Sequence, residues 1–189
     1  MNYTIGFMDL CEYPTENEAY WINIMENNKR SRVENFLCAE DKKRVVLGDI
    51  LTRKMLSKQL GLAPNEIDIF TNSCGKPQLY NNQNIHFSVS HSYNLIACAV
   101  SENFIGVDVE FICKTDLRQI DLFCTKEEKE YILSGEDVYN RFFEIWTFKE
   151  AYYKATGKIA DHTVCCFNCN SNKSFWTRNG YAITVYCYK

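Results

Sequence analysis

Between residues 40 and 60 the apolar positions fall at the spacing of a helix, with Leu47, Ile50, Leu51 and Met55 at i, i+3, i+4 and i+8. Gly61 and Pro64 stop that helix, and its other face carries basic residues. The pattern then changes period. Segments 67–70, 86–90, 95–100 and 105–111 read as strands, separated by the turn signals Gly75-Lys76-Pro77 and Ser92-Tyr93-Asn94. Helices follow: Thr125-Lys126-Glu127-Glu128 has the form of a capping box for a helix through about Leu133, and a longer helix runs from about Asp137 to Thr156, ended by Gly157. Strand-like segments return at 163–167 and 180–188. This order predicts an α+β architecture, with two similar halves meeting at a central cleft as one way to build it. No clear sequence repeat is evident, and no Gly/Ser/Pro-rich linker separates two parts, so any halves are tightly joined.

A length of 189 residues matches one large domain or two small halves on a prior of roughly 150 residues per domain. With 46% hydrophobic residues the chain has ample material for a core. The longest fully apolar run, 95–100, falls far short of the about 20 residues a bilayer requires, so no membrane role is expected. The chain opens Met1-Asn2-Tyr3-Thr4 with no charged segment followed by a long apolar one, and its ten cysteines are therefore read as reduced thiols of a cytoplasmic protein. Cys165, Cys166 and Cys169 with His162 form the one cluster whose spacing suggests metal. A structural zinc site needs a second ligand pair, for which only scattered residues such as Cys187 offer themselves, so buried free thiols are the preferred reading.

Charge is unevenly spread. Net charge is −3 and the pI about 5.7, which speaks against a basic nucleic-acid binder. Residues 29–58 nevertheless hold nine Lys and Arg against four Asp and Glu, a local +5 that leaves −8 elsewhere. A solvated helix face would account for such a run. A site for a polyanion would too, and with Phe36 the only aromatic among these bases, a small phosphorylated ligand suits it better than nucleic acid.

Gly106-Val107-Asp108-Val109-Glu110 alternates apolar and acidic residues, so on a strand both carboxylates project from one face about 7 Å apart at their Cα atoms. On a solvent face this is an ordinary half-buried strand; lining a cleft, hard oxygen ligands at this spacing suit Mg²⁺. Trp146, Glu150 and Lys154 form an i, i+4, i+8 stripe on the second long helix. The stripe is either a Glu–Lys pair beside a core tryptophan or a third carboxylate with a phosphate-binding ammonium. The hydroxyl-rich His86-Phe87-Ser88-Val89-Ser90-His91-Ser92 segment can hold an anion where it enters its turn. Ser90 and His91 point to opposite faces of a strand and no Gly-x-Ser-x-Gly elbow exists, so a nucleophilic triad is not expected.

In this order and spacing, Phe87-Ser88-x-Ser90-His91-Ser92, Gly106-x-Asp108-x-Glu110 and Trp146-x-x-Lys149-Glu150-Ala151-x-x-Lys154-x-x-Gly157 resemble the 4′-phosphopantetheinyl transferases of the surfactin-synthetase-activating (Sfp) type. The resemblance extends through Gly75-Lys76-Pro77, the stretch from Arg44 to Leu47-Gly48-Asp49, and Lys29 and Arg32. It implies a pseudo-twofold pair of α+β halves, here 1–101 and 102–189, with coenzyme A and Mg²⁺ in the cleft between them. The implied reaction moves the 4′-phosphopantetheine arm of coenzyme A to a serine of an apo acyl or peptidyl carrier protein and releases adenosine 3′,5′-bisphosphate. By the same resemblance Asp108, Glu110 and Glu150 form the metal site, Glu110 through water. Lys29, Arg32, Arg44 and His91 contact the 3′-phosphate, Lys76, Pro77 and Ser90 lie on the adenine side, and Lys154 meets the pyrophosphate. Glu150 or a metal-bound water is the candidate base, and Glu150 with Lys154 makes up the catalytic pair. A monomer suffices for such a cleft, and a non-catalytic coenzyme A or carrier-binding module of the same fold is the alternative. After Gly157 the chain reads Lys158-Ile159-Ala160, where the family often has a second glycine and a leucine.

Overall fold

The computed structural model describes residues 2–72, 75–82, 84–160, 163–169 and 171–189. Its first strand, β1 (Thr4–Asp9), is followed by two short helices, α1 (Glu18–Asn23) and α2 (Asn27–Glu34), and by the long α3 (Ala39–Leu60). Gly61 ends α3 in the left-handed conformation, φ 70°, where a side chain would be strained. A small two-stranded sheet of β2 (Ile69–Thr71) and β3 (Pro77–Leu79) precedes the hairpin of β4 (His86–Ser92) and β5 (Leu95–Ser101). Strand β6 (Phe104–Phe111) opens the second half, followed by the one-turn α4 (Ile120–Phe123), α5 (Lys126–Leu133), the long α6 (Val138–Thr156), β7 (Lys173–Arg178) and β8 (Tyr181–Tyr188).

The capping box expected at Thr125 is present, with the Glu128 amide donating to Thr125 Oγ1 and the Thr125 amide to Glu128 Oε2 at 2.8 Å. The strand expected at 163–167 is not formed; Cys166–Cys169 is a 3₁₀ turn. The Cys166 amide donates to Glu128 Oε1 at 2.7 Å instead of to a neighbouring strand, and the strand before the last begins only at Lys173. His162 of the candidate zinc cluster lies outside the described residues. Among the described residues nine cysteines are free thiols, and Cys166 is buried with its thiol pushed up to about 12 by desolvation.

Two three-stranded antiparallel sheets carry the architecture, ordered β1-β5-β4 and β6-β8-β7. In each, the first strand of the half pairs with the third and the third with the second, and the long helix lies in sequence between the first and second strands. The α+β pair of similar halves is thus visible in topology. No clear repeat accompanies it in sequence, although Ile5-Gly6 and Ile105-Gly106 occupy matching places in the first strand of each half, under its long helix. A Cβ added at Gly6 would lie 2.7 Å from Met55 Sδ of α3, and one at Gly106 would lie 1.9 Å from the Ala151 carbonyl of α6.

Three apolar layers result. Met8, Val46, Leu47, Ile50 and Phe87 pack between the first sheet and α3, while Ile145, Phe148, Ala151 and Ala182 pack between the second sheet and α6. Between the sheets lie Ala97, Ala99, Ile105, Val107, Val109 and Ile183, with Ile5 and Phe7 against them. The edges β4 and β6 are held by side chains: the Val107 amide donates to Ser88 Oγ at 3.0 Å and the Phe111 amide to Ser92 Oγ at 3.1 Å. Where these edges part, a cleft opens.

Candidate active site

The hydroxyls that bridge the sheet edges also fix the acids. Asp108 and Glu110 of β6 point away from the inter-sheet layer, across to β4. Ser90 donates to Asp108 Oδ1 at 2.8 Å and Ser92 to Glu110 Oε2 at 2.7 Å. Asp108 is only 3% exposed, so the alternation in β6 serves a cleft and not a solvent face. From α6, Lys154 Nζ reaches Asp108 Oδ1 at 2.7 Å and Ser90 Oγ at 2.9 Å. The stripe on α6 therefore spends its lysine on the acid of the facing strand. Glu150, one turn earlier, is held above the usual carboxylate range by burial and by the charge of Asp108. Glu110 is raised by burial, against the pull of the Ser92 hydrogen bond and one from Trp146.

These acids form one end of a cavity of about 750 Å³. Its other end is basic: Lys29 and Arg32 from α2, Arg44 from α3, and His91 from β4. Arg44 donates to the Tyr93 carbonyl at 2.7 Å and to Asp41 at 2.5 Å, so the β4–β5 turn aims its guanidinium. Tyr93 sits at φ 53° in that turn, a conformation uncommon outside glycine. The Arg32 guanidinium lies 5.5 Å from the Phe36 ring centre. Ile69, Thr71 and Pro77, from the small sheet, line the cavity between its two ends.

Of the residues singled out from the sequence, Lys29, Arg32, Arg44, Pro77, Ser90, His91, Asp108, Glu110, Glu150 and Lys154 all border this one space. Lys76 does not. Its ammonium turns beneath the cavity to donate to the Lys154 carbonyl at 2.5 Å and, more weakly, to the Ile105 carbonyl at 3.5 Å, and desolvation pulls its pKa down. It lines a neighbouring cavity of about 650 Å³ beside the end of α6. The sequence reading missed Asp49, which borders the main cavity, and the Ser92–Glu110 bond. An acid four residues before Arg53, set in the middle of a helix whose other acids lie in its first turn, was the available signal for Asp49.

The donor set at the acidic end is of hard oxygens, and Asp108 Oδ2 is buried with no hydrogen-bond partner. The Asp108 charge helps to raise both Glu110 and Glu150, and a carboxylate set of this kind fits a divalent cation of the Mg²⁺ type. As they stand, no three Asp, Glu, His or Cys side chains among the described residues are close enough together to hold an ion, and Lys154 neutralises Asp108.

Comparison with known proteins places the two halves that build this cleft in one class. Residues 13–103 match the family described as 4′-phosphopantetheinyl transferase, N-terminal, and residues 104–185 match the 4′-phosphopantetheinyl transferase superfamily. The chain is 35% identical over 160 residues to the 4′-phosphopantetheinyl transferase gsp of Aneurinibacillus migulanus, covering 80% of this chain and 65% of that protein. It is 30% identical over 154 residues to the 4′-phosphopantetheinyl transferase Sfp of Bacillus subtilis strain 168, covering 80% of this chain and 68% of that protein. The chain belongs to the Sfp-type 4′-phosphopantetheinyl transferases. It spans about two thirds of the length of these two curated relatives. A crystal structure of a holo-(acyl-carrier-protein) synthase from Bacillus anthracis with CoA (3′,5′-ADP) superposes with a TM-score of 0.43 at 20% identity, covering 52% of this chain and 91% of that one.

Proposed function

We propose that this chain transfers the 4′-phosphopantetheine arm of coenzyme A to a serine hydroxyl of an apo acyl or peptidyl carrier protein, with Mg²⁺, releasing adenosine 3′,5′-bisphosphate. The observation that carries the reading is the two-ended cavity, where Lys29, Arg32, Arg44 and His91 face Asp108, Glu110, Glu150 and Lys154 across about 750 Å³. Coenzyme A carries a 3′-phosphate and a pyrophosphate, and the basic end is suited to the first. Lys154, at the acidic end, is suited to the second. Pro77, with Ile69 and Thr71, supports an adenine between them. Lys76 acts here through its backbone and its hold on the end of α6, not through its ammonium.

The serine oxygen attacks the β-phosphorus of coenzyme A. A new P–O bond forms to the carrier, the P–O bond to the α-phosphate breaks, and the leaving bisphosphate takes the electron pair. Glu150, at the acidic end beside Lys154, takes the serine proton directly or through one water. Mg²⁺, when bound by Asp108 and Glu150 and through water by Glu110, supplies charge neutralisation for the leaving group. Lys154 holds Asp108 and Ser90 in register and presents its one remaining N–H donor to the pyrophosphate. The halves 1–101 and 102–189 contribute the basic and acidic ends respectively, except that Lys154 and the β4 residues interlock them. No helix among the described residues is long and apolar enough to cross a membrane. Cytoplasmic location, a monomeric state and no nucleic-acid partner belong to the same proposal.

The test is incubation of the purified protein with coenzyme A, several apo carrier proteins, and Mg²⁺ or a chelator, read by intact mass. A phosphopantetheine adduct that appears with Mg²⁺ and disappears with the chelator is expected. Coenzyme A binding with no adduct on any carrier would overturn transfer and leave a binding module.

A further inference from the structure

A wholly buried carboxylate stands among the cations of the basic end. Asp49 of α3 is 1% exposed, borders the cavity, and belongs to the same +5 segment whose bases are suited to a phosphate. An acid there repels an anion unless its charge is fully used. Both its oxygens are engaged: Lys29 Nζ donates to Oδ1 at 2.8 Å, and Arg53 Nε to Oδ2 at 2.6 Å. Arg53 is itself 2% exposed and spends its Nη1 on the chain, donating to the Pro64 carbonyl at 3.0 Å and the Ile67 carbonyl at 2.6 Å.

The result is a continuous linkage from the residues just before β2, through Arg53 and Asp49, to the ammonium of Lys29 on α2. Each link is a charge-assisted bond, and Asp49 and Arg53 have left water while Lys29 keeps part of its side chain exposed. Arg53 can only serve this role from inside α3, one turn beyond Asp49. A lysine stem at a cavity wall samples many rotamers, and fixing it when a ligand arrives costs affinity. Asp49 takes one of the three ammonium donors and leaves the others toward the cavity. Arg53 at the same time anchors the approach to β2, whose Ile69 and Thr71 form the wall between the cavity's ends.

We propose that Asp49 is a positioning residue that, clamped by Arg53, pre-orders Lys29 for the 3′-phosphate of coenzyme A. This rests on the function proposed above but is tested by binding alone, so that its failure and the failure of transfer are told apart. The experiment is calorimetric titration of the full chain with coenzyme A and with dephospho-coenzyme A, which lacks the 3′-phosphate. The wild type is expected to prefer coenzyme A. Asp49→Asn is expected to weaken coenzyme A by about tenfold, the loss of one charge-assisted bond, and to leave dephospho-coenzyme A within about twofold. Adding Asp49→Asn to Lys29→Gln is expected to weaken coenzyme A no further. Because Asp49→Asn strands the Arg53 charge, the paired replacement Asp49→Leu with Arg53→Met provides a folded counterpart with an apolar pair in its place, and it too is expected to lose the preference. Equal weakening of both ligands, additive losses in the double variant, or an undiminished preference in either Asp49 variant would overturn the assignment.

Discussion

The first strands of the two halves, β1 and β6, carry the same pair as their second and third residues, Ile5-Gly6 and Ile105-Gly106, and then diverge. In both, the isoleucine and the residue after the glycine turn to the apolar layer between the sheets: Ile5 and Phe7 in one, Ile105 and Val107 in the other. In both, the glycine lies under the long helix of its half. The next helix-side positions part company. Met8 joins the core beneath α3 with Leu10 packed against it, whereas Asp108 and Glu110 stand at the same steps along β6 and open to the cleft. Burying Met8 stabilises the fold by removing apolar surface from water. Burying Asp108 costs desolvation that Ser90 and Lys154 offset. One strand design thus serves once as core and once as site.

That contrast is sharpest at Met8 and Asp108. Asp108→Ala is expected to reduce transfer to a carrier below detection by intact mass while denaturant unfolding stays cooperative. Met8→Ala is expected to do the reverse, lowering stability by about 2–5 kcal/mol with transfer per folded molecule unchanged. Retained transfer in Asp108→Ala would take that residue out of the chemistry.

Each half also buries an acid against a base of its long helix, and these pairs differ in what they hold. Asp49 and Arg53 lie within α3 and reach out to the cavity through Lys29. Glu128 of α5 is fully buried, bonds Lys149 of α6 at 3.0 Å, and takes the amides of Thr125 and Cys166, while Lys149 donates to the Val164 carbonyl. The second pair ties a helix start and the 3₁₀ turn to α6, with no group facing the cavity. Lys149→Met leaves Glu128 uncompensated and is expected to cost about 3–5 kcal/mol in urea unfolding. A loss below about 1 kcal/mol would mean that this network is not what fixes the turn to the helix.

How far the sequence could be read follows from where the deciding partners lie. Helices α3, α5 and α6 were legible to within a residue or two because Gly61, the Thr125–Glu128 box and Gly157 settle their ends locally. Val164-Cys165-Cys166-Phe167 has the composition of a buried strand, yet the Cys166 amide is claimed by Glu128, 38 residues earlier. β1 escaped notice because both of its faces meet apolar layers, which erases alternation. The acids of β6 were legible as an alternation, and their orientation was not, since it depends on hydroxyls of β4. Lys76 shows the same limit. Its ammonium is drawn off by a carbonyl 78 residues away.

The shared glycines themselves separate the two halves again, down to the smallest effect at Gly6. At Gly106 an added Cβ meets the backbone of α6, with Ala151 O at 1.9 Å and Ala155 N at 2.7 Å, so relief requires the helix to lift from the sheet. That movement would also carry Glu150 and Lys154 away from Asp108. Gly106→Ala is therefore expected to cost about 3 kcal/mol, the upper end for overpacking, and to lower transfer with it. At Gly6 the nearest atoms are Met55 Sδ at 2.7 Å and Leu51 Cδ1 at 3.2 Å, the ends of side chains that can swing aside. Replacing a strand glycine also removes freedom from the unfolded chain, which opposes the clash. Gly6→Ala is accordingly expected to change stability by less than about 1 kcal/mol and to leave transfer intact. Thermal and urea unfolding of the two variants side by side checks the pair. Equal losses would mean that α3 is pinned to β1 as rigidly as α6 is to β6, and that the tolerance of the first half does not come from the flexible thioether over its glycine.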